Sequence, residues 1–197
     1  MERLLVAALG DSIAAGSPAW DPDPAVRERI GAALDERSQF ELWAERADPR
    51  LRIRNCGVYG ERTDEIAPRL DASAAGADAL VVQGGINDIA QGRPAGEAAE
   101  NLRAMVRRGL EPGLRVLLAD VLPWNAGYPR TEREIRTLNG LVARIAAEES
   151  VVLLPFHATL EDPERPGRMR KEWVADGDHP SVEGYRRLAE LAVVPFL

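Results

Sequence analysis

The sequence predicts an α/β fold in which helices cover both faces of a five-stranded parallel sheet. Short apolar runs alternate along the chain with longer segments of helical period, which is typical of a parallel sheet whose strands and helices follow one another. The 197 residues are 45% hydrophobic and 29% charged, as in ordinary globular proteins. A chain of this length buries roughly 70% of its surface around one core, so we expect residues 1–197 to form a single domain.

Five apolar runs are the predicted strands. Each run ends near a glycine, a proline or a small polar residue, which are the residue types that close strands. In chain order the runs cover residues 4–9, 51–55, 79–83, 114–120 and 151–154.

The segments between these runs are predicted to be helices, and apolar side chains recur at helical spacing on both sides of the fourth strand. We expect Ser38 to cap a helix over residues 39–47, because a serine oxygen can accept from the amides of a first turn. Thr63 is the expected cap of the next helix. Pro68 must delay or bend that helix, since proline has no amide hydrogen.

The charge balance argues against nucleic acid as a partner. The chain has 25 Lys plus Arg and 32 Asp plus Glu, a net charge of -7, which repels a phosphate backbone. Cys56 is the only cysteine, so no internal disulfide is possible. The first apolar run is too short to span a membrane, and residues 10–12 follow it directly and leave no room for a signal peptide. We therefore expect a cytoplasmic protein without membrane insertion.

Ser12 is the candidate nucleophile. It follows the first strand closely and is surrounded by small residues, which would let a helix amide approach a substrate oxygen. A serine hydroxyl needs a base to remove its proton, and the chain has two histidines. In the segment 176–181, the Asp176 carboxylate can orient the His179 ring while the other ring nitrogen faces Ser12. Taken alone, this segment also fits a surface loop with a helix cap.

Two other strand ends offer hydrogen-bond donors for an oxyanion. An acyl-transfer site needs donors aimed at the oxygen that becomes negative. After the second strand, residues 55–60 offer backbone amides freed by glycine, and after the third strand Asn87 offers a side-chain amide beside two glycines. Together these groups predict an oxyanion hole.

The four segments together resemble the SGNH hydrolases, also called GDSL esterases and lipases. The resemblance covers most of the chain, and the blocks occur in the order that the family shows. Ile13 stands where many members have leucine, which is a conservative exchange. The matching blocks are Gly10-Asp11-Ser12-Ile13, Asn55-x-Gly57-x-x-Gly60, Gly85-Ile86-Asn87-Asp88 and Asp176-x-x-His179-Pro180.

The resemblance implies a fold and a set of roles. Ser12 would be the nucleophile and, through its amide, the first oxyanion donor. Gly60 would supply a second amide and Asn87 a side-chain amide. His179 would be the general base, oriented by Asp176. Members of the family share a three-layer α/β/α sandwich similar to flavodoxin, and they need no metal and no organic cofactor.

Neighbouring acidic residues leave alternatives open. Asp178 adjoins His179 and is the other candidate for its orienting carboxylate, although the family motif assigns that role to residue 176. We interpret Asp11 and Asp88 as capping or loop-fixing carboxylates, because short carboxylates bond readily to nearby amides. A metal bound by Asp11, Asp176, Asp178 and His179 is disfavoured, since hard cations need more converging oxygens and zinc needs more His or Cys.

A thiol dyad of Cys56 and His157 is also disfavoured, because nothing near Cys56 in the sequence indicates a lowered thiol pKa. We expect a buried structural cysteine, and a packing or loop hydrogen-bond role for His157.

The remaining predictions concern the substrate. The proline-rich residues 17–24 are expected to form one wall of a pocket at the carboxyl end of the sheet, and their lack of a long apolar lid favours small esters with short acyl chains. Thioesterase, lysophospholipase, sugar deacetylase and acyltransferase activities use the same groups. A non-catalytic module that binds a phosphorylated or flavin ligand is the other alternative. The candidate pocket residues are Trp20, Tyr59, Ile86, Trp124 and Trp173.

Overall fold

A computed structural model describes residues 3–16, 24–30 and 35–196 of the protein. Five strands form one parallel sheet in the order β2-β1-β3-β4-β5. The five predicted strands are confirmed, with ends that differ by one or two residues. The strands are β1 (Leu4–Gly10), β2 (Leu51–Gly57), β3 (Ala79–Val82), β4 (Arg115–Ala119) and β5 (Val152–Leu154).

Helices connect the strands and lie on both faces of the sheet. None of the helices in the described ranges is both long and apolar enough to cross a membrane. The helices are α1 (Ser12–Ala15), α2 (Pro24–Ile30), α3 (Phe40–Ala47), α4 (Thr63–Ile66), α5 (Leu70–Ala74), α6 (Ile86–Ala90), α7 (Ala95–Leu110), α8 (Thr131–Glu148), α9 (Phe156–Leu160) and α10 (Val182–Arg187), which continues into a π-helical turn (Leu188–Val193).

The core consists of two apolar layers, one on each face of the sheet. β3 is buried over its whole length, as expected for a strand covered on both faces. Its side chains alternate: Val81 packs in the layer with α3 and the π-helical turn, and Leu80 packs in the layer with α7 and α8. The predicted three-layer α/β/α sandwich is therefore confirmed, and its strand order is the flavodoxin-like one.

Two of the predicted helix caps are wrong. Ser38 is the last residue of a short 3-10 turn, Glu36–Ser38, and α3 begins after Gln39 without a side-chain cap. Thr63 is the first residue of α4 and not its cap, which is Arg62. The effect of Pro68 is confirmed, because the segment breaks into α4, a 3-10 turn (Ala67–Arg69) and α5.

A small antiparallel hairpin, which the sequence analysis did not predict, follows α9. Its strands are β6 (Glu161–Asp162) and β7 (Arg165–Met169). Asn125 attaches the hairpin to the loop after β4, since its side chain accepts from the Met169 amide at 2.6 Å and donates to the Met169 carbonyl at 2.9 Å. Arg168 Nη1 also donates to the Trp124 carbonyl at 2.8 Å. The hairpin therefore supports the loop that carries Trp124.

Candidate active site

The turn between β1 and α1 holds Ser12 in a nearly buried position, with 5% of the residue exposed. Asp11 caps α1, as interpreted from the sequence, because its Oδ1 accepts from the Ile13 amide at 2.9 Å. Gln83, which follows β3, accepts through Oε1 from the amides of Asp11 and Ala14, both at 3.2 Å. The amides of Asp11, Ile13 and Ala14 thus all have acceptors, whereas the Ser12 amide has none among the described residues.

The end of β2 packs directly against α1. A Cβ atom at Gly57 would lie 2.0 Å from the Ala15 amide nitrogen, so only glycine allows this approach. The Asn55 side chain donates to the Ala15 carbonyl at 3.1 Å and accepts from the Gly57 amide at 3.0 Å. These two residues of the second block therefore position the helix that begins at Ser12.

The structure brings Ser12, His179 and Asp176 into one hydrogen-bonded chain. His179 Nε2 lies 3.0 Å from Ser12 Oγ, and His179 Nδ1 lies 2.9 Å from Asp176 Oδ2. A neutral ring that carries its proton on Nδ1 donates to Asp176 and accepts from the serine hydroxyl. This is the arrangement that lets a histidine act as a base toward a serine.

Asp176 also fixes the loop that carries His179. Its Oδ1 accepts from the amides of Asp178 and His179 at 2.9 and 2.8 Å. Partial burial raises the pKa of Asp176, but these two amides and the imidazole outweigh that effect and hold the pKa below its usual range. The carboxylate therefore remains charged throughout the neutral pH range.

Asp178 faces another group. Its carboxylate accepts from the Trp124 indole Nε1, so Asp176 and not Asp178 lies against the imidazole. Tyr59 covers the imidazole of His179, with ring centroids 5.4 Å apart and planes inclined by 27°.

Gly60 and Asn87, the other two predicted oxyanion donors, line the same cavity as Ser12. Gly60 has a φ of +82°, a conformation that favours glycine, and its amide has no acceptor in the described part of the chain. Asn87 Nδ2 donates to the Glu61 carbonyl at 2.8 Å. An amide nitrogen carries two hydrogens, so the second hydrogen can donate to a substrate.

Arg69 is a site residue that sequence reasoning missed. It donates through Nη1 to the Cys56 carbonyl at 2.7 Å and through Nη2 to the Gly10 carbonyl at 3.1 Å. Its Nη2 also lies 2.6 Å from the Glu61 carboxylate. Arg69 thus joins the ends of β1 and β2 to the turn that presents Gly60. No local pattern around an arginine in a 3-10 turn signals this role.

Asp88 fixes the same region from the other side, as interpreted from the sequence. It accepts from the Thr63 amide at 3.0 Å and from the Thr63 hydroxyl at 2.8 Å. Burial raises the pKa of Asp88 despite these bonds. Burial also raises the pKa of Asp11 to about 6.

The cavity beside Ser12 has a volume of about 100 Å³. Of the predicted pocket residues, Tyr59, Ile86 and Trp124 line it, and Trp20 lies outside the described residues. Trp173 is buried away from the cavity, with guanidinium carbons 4.9 and 4.1 Å from its ring centre. Besides Ser12, Gly60, Asn87 and His179, the lining residues are Ile13, Tyr59, Ile86, Ala90, Trp124 and Asp178.

The structure separates Cys56 from His157. Cys56 lies in β2 at one edge of the sheet, and His157 follows β5 at the opposite edge. Burial raises the pKa of the Cys56 thiol, which disfavours a reactive thiolate. Within the described ranges, no group of three or more His, Cys, Asp or Glu side chains is arranged to hold a metal ion.

Comparison with known proteins gives one family match and several similar folds. The chain matches the model of the GDSL-like lipase/acylhydrolase family over residues 8–187, and no curated protein sequence matches it. Its fold is similar to that of a G-D-S-L family protein from Desulfitobacterium hafniense, at 20% identity and a TM-score of 0.78, over 95% of this chain and 97% of that one.

Two further solved structures show the same likeness. A member of the lipolytic protein G-D-S-L family from Veillonella parvula is 18% identical, with a TM-score of 0.74 and 94% of each chain covered. The lipase/acylhydrolase from Enterococcus faecalis is 21% identical, with a TM-score of 0.71, over 95% of this chain and 91% of that one.

Proposed function

The chain belongs to the GDSL-like lipase/acylhydrolase family, whose members are hydrolases that act on esters, and from this premise we propose that it cleaves small carboxylic esters with Ser12 as its nucleophile. The observation that carries the proposal is the hydrogen-bonded chain from Ser12 Oγ to His179 Nε2 and from His179 Nδ1 to Asp176. It lies at the carboxyl ends of β1 and β3, where ligands bind in open parallel sheets.

In the first step, His179 Nε2 takes the hydroxyl proton as Ser12 Oγ attacks the ester carbonyl carbon. The carbonyl oxygen becomes negative and accepts from the amides of Ser12 and Gly60 and from Asn87 Nδ2. The C–O bond to the alcohol then breaks, and the imidazolium of His179 gives its proton to the departing alcohol oxygen. An acyl-serine remains.

In the second step, His179 takes a proton from a water molecule, whose oxygen attacks the acyl-serine carbonyl carbon. The same donors hold the second oxyanion. The bond to Ser12 Oγ then breaks, and His179 returns the proton to the serine, which releases the carboxylic acid. Asp176 stays ionised and stabilises the imidazolium in both steps.

The size of the cavity supports short acyl groups. Its volume of about 100 Å³ is well below the roughly 300–1,000 Å³ of sites that take drug-sized ligands. An acetyl group on a sugar would fit the same space, so a sugar O-acetyl esterase is the second candidate. Hydrolysis of acetylated sugars at rates far above those of simple alkyl acetates would favour it.

The nucleophile is tested with Ser12→Ala. We expect hydrolysis of p-nitrophenyl acetate to fall by roughly 10⁴-fold or more, and a phosphonate probe to label the unmodified protein at Ser12. Ser73→Ala, a serine in α5 away from the cavity, is the matched control and should keep both activity and labelling. Full activity in Ser12→Ala contradicts the mechanism, and a rate maximum at long acyl chains contradicts the substrate size.

A further inference from the structure

The open side of the cavity carries a negative charge without a cation partner. Asp178 is exposed; among the lining residues that the structure describes, it is the one carboxylate, and these residues include no lysine or arginine. One of its oxygens accepts from Trp124 Nε1, and no salt bridge joins its carboxylate to a cation in the described residues. The indole therefore holds this carboxylate in the wall of the cavity.

The arginines that flank the cavity are committed to other acceptors. Arg168 donates to the backbone carbonyls of Trp124 and Asn125. Arg62 pairs with Asp64 and Glu65 at 3.0 and 3.1 Å. Neither arginine lines the described part of the cavity, so the carboxylate of Asp178 is the fixed charge in its wall.

The charge of Asp178 also acts on Tyr59, another lining residue of the cavity. The pKa of the Tyr59 phenol is raised by partial burial and also by the charges of Asp176 and Asp178. His179 becomes an imidazolium during turnover and then balances Asp176, its partner at 2.9 Å. The charge of Asp178 is not balanced in this way, so it can attract or repel a charged substrate.

The aromatic rings of the wall favour the same sign of charge. Tyr59 and Trp124 both line the cavity, and Tyr59 is 52% exposed. The faces of tyrosine and tryptophan rings attract cations, and alkylammonium groups bind beside such rings together with carboxylates. Ile13, by contrast, is 2% exposed and forms the enclosed apolar part of the cavity.

We propose that the site selects esters by charge: the small acyl group packs toward Ile13, and the rim of Asp178, Trp124 and Tyr59 binds an alcohol part that carries a positively charged alkylammonium group. Esters with an anionic alcohol part are repelled by the same carboxylate. The inference rests on the proposed esterase function, and it disfavours phosphorylated leaving groups such as those of acyl thioester cofactors and lysophospholipids.

Three acetate esters of similar shape test this inference: acetylcholine as the cation, 3,3-dimethylbutyl acetate as its uncharged analogue and 2-sulfoethyl acetate as the anion. We expect kcat/KM to be about five- to tenfold higher for the cation than for the neutral ester, and lower still for the anion. Raising the ionic strength should shrink both differences, because salt screens exposed charges.

Asp178→Asn is the informative variant, since asparagine still offers an oxygen to Trp124 Nε1 but has no charge. The cation-to-neutral ratio of kcat/KM should fall severalfold in this variant, because the carboxylate charge is lost while the two aromatic rings remain. Glu111→Gln removes one negative charge from an exposed position outside the cavity and should leave the ratio unchanged. On the unmodified protein, tetramethylammonium should inhibit hydrolysis of the neutral ester more strongly than methanesulfonate does.

The outcomes separate this inference from the function on which it rests. Ser12-dependent hydrolysis of the neutral ester with a cation-to-neutral ratio of one or less, or with a raised ratio that Asp178→Asn leaves unchanged, overturns the charge selection and keeps the esterase. Rates for all three esters that are no higher than those of Ser12→Ala overturn the esterase and the selection together.

Discussion

The two oxygens of Asp176 act on different parts of the site. Oδ2 faces the His179 ring, and Oδ1 accepts from two backbone amides of the loop that carries this ring. One charged side chain thus orients the imidazole and fixes the loop on which the imidazole sits. Its lowered pKa means that this arrangement is lost only when the pH falls below the usual carboxyl range.

Asp176→Asn should lower kcat for p-nitrophenyl acetate by roughly 10³-fold or more, because an amide can favour the wrong tautomer of the ring and cannot stabilise the imidazolium. Steady-state kinetics at pH 8 measures the effect. Asp71→Asn removes an exposed carboxylate that pairs with Arg108 and should leave kcat unchanged. A loss of less than tenfold in Asp176→Asn would rule out Asp176 as the orienting residue.

At the level of elements, the turn that presents Gly60 is held from two sides. Asn87 donates to the Glu61 carbonyl, and Arg69 binds the Glu61 carboxylate together with the carbonyls that end β1 and β2. Arg69 is not among the residues that line the cavity. It is therefore a positioning residue, which acts on the oxyanion hole through the turn.

Arg69→Met should lower kcat about tenfold with little change in KM, because a displaced amide weakens the transition state more than the bound ester. Arg69→Lys should recover part of the loss, since lysine keeps the charge but cannot bond to three acceptors in the same geometry. The matched control is Arg54→Met. Arg54 lies in β2 and likewise donates to two carbonyls, those of Ser73 and Ala75. It does not line the cavity, so its loss should lower stability and leave kcat unchanged. Equal kcat values for the two methionine variants would contradict the role of Arg69.

The strands of the sheet could be predicted from the sequence, but two helix caps and the strand β7 could not. Apolar runs identify the five strands, because a strand covered on both faces must be apolar. The predicted cap at Thr63 is wrong because a tertiary contact competes with the local rule: the Thr63 hydroxyl bonds to Asp88, 25 residues away. The predicted cap at Ser38 is wrong because a 3-10 turn takes up this residue before α3 begins. β7 escapes detection since it contains Pro166 and Gly167, residue types that are depleted in strands.

The candidate site could also be predicted only in part, because some of its contacts join segments that are distant in the sequence. Ser12, His179, Asn87 and Gly60 stand in recognisable blocks and line one cavity in the structure. Asp176 and Asp178 lie in one loop of six residues, and which of them contacts the His179 ring depends on how that loop folds. Arg69 joins segments that are 8, 13 and 59 residues away from it, and such spacing has no signature in the sequence.

At the level of the whole molecule, a buried acid in α3 makes the free energy of unfolding depend on pH. Glu41 is 4% exposed, and neither of its carboxylate oxygens has a hydrogen-bond partner in the described ranges. Burial, and then the charge of Glu45, raises the pKa of Glu41 well above its usual range. The unfolded chain therefore releases the Glu41 proton at a lower pH than the folded protein does.

It follows that Glu41 favours folding at a pH below its unfolded pKa of about 4.5 and progressively opposes folding as the pH rises toward its folded value. Glu41→Gln should remove this effect. The free energy of unfolding of the variant minus that of the unmodified protein should rise between pH 5 and pH 7 by at most about 1.4 kcal/mol per pH unit. Urea unfolding followed by circular dichroism measures it. Glu111→Gln is the control, and a difference that does not change with pH would contradict the raised pKa.

The distance along the chain between the reacting groups has a consequence for biosynthesis. Ser12 and His179 are 167 residues apart, so a ribosome must translate the chain through His179 before the hydroxyl can meet its base. Nascent chains that already contain β1 carry the serine without a means of activating it. Ester turnover during translation or refolding therefore reports the arrival of the segment that carries His179 at Ser12.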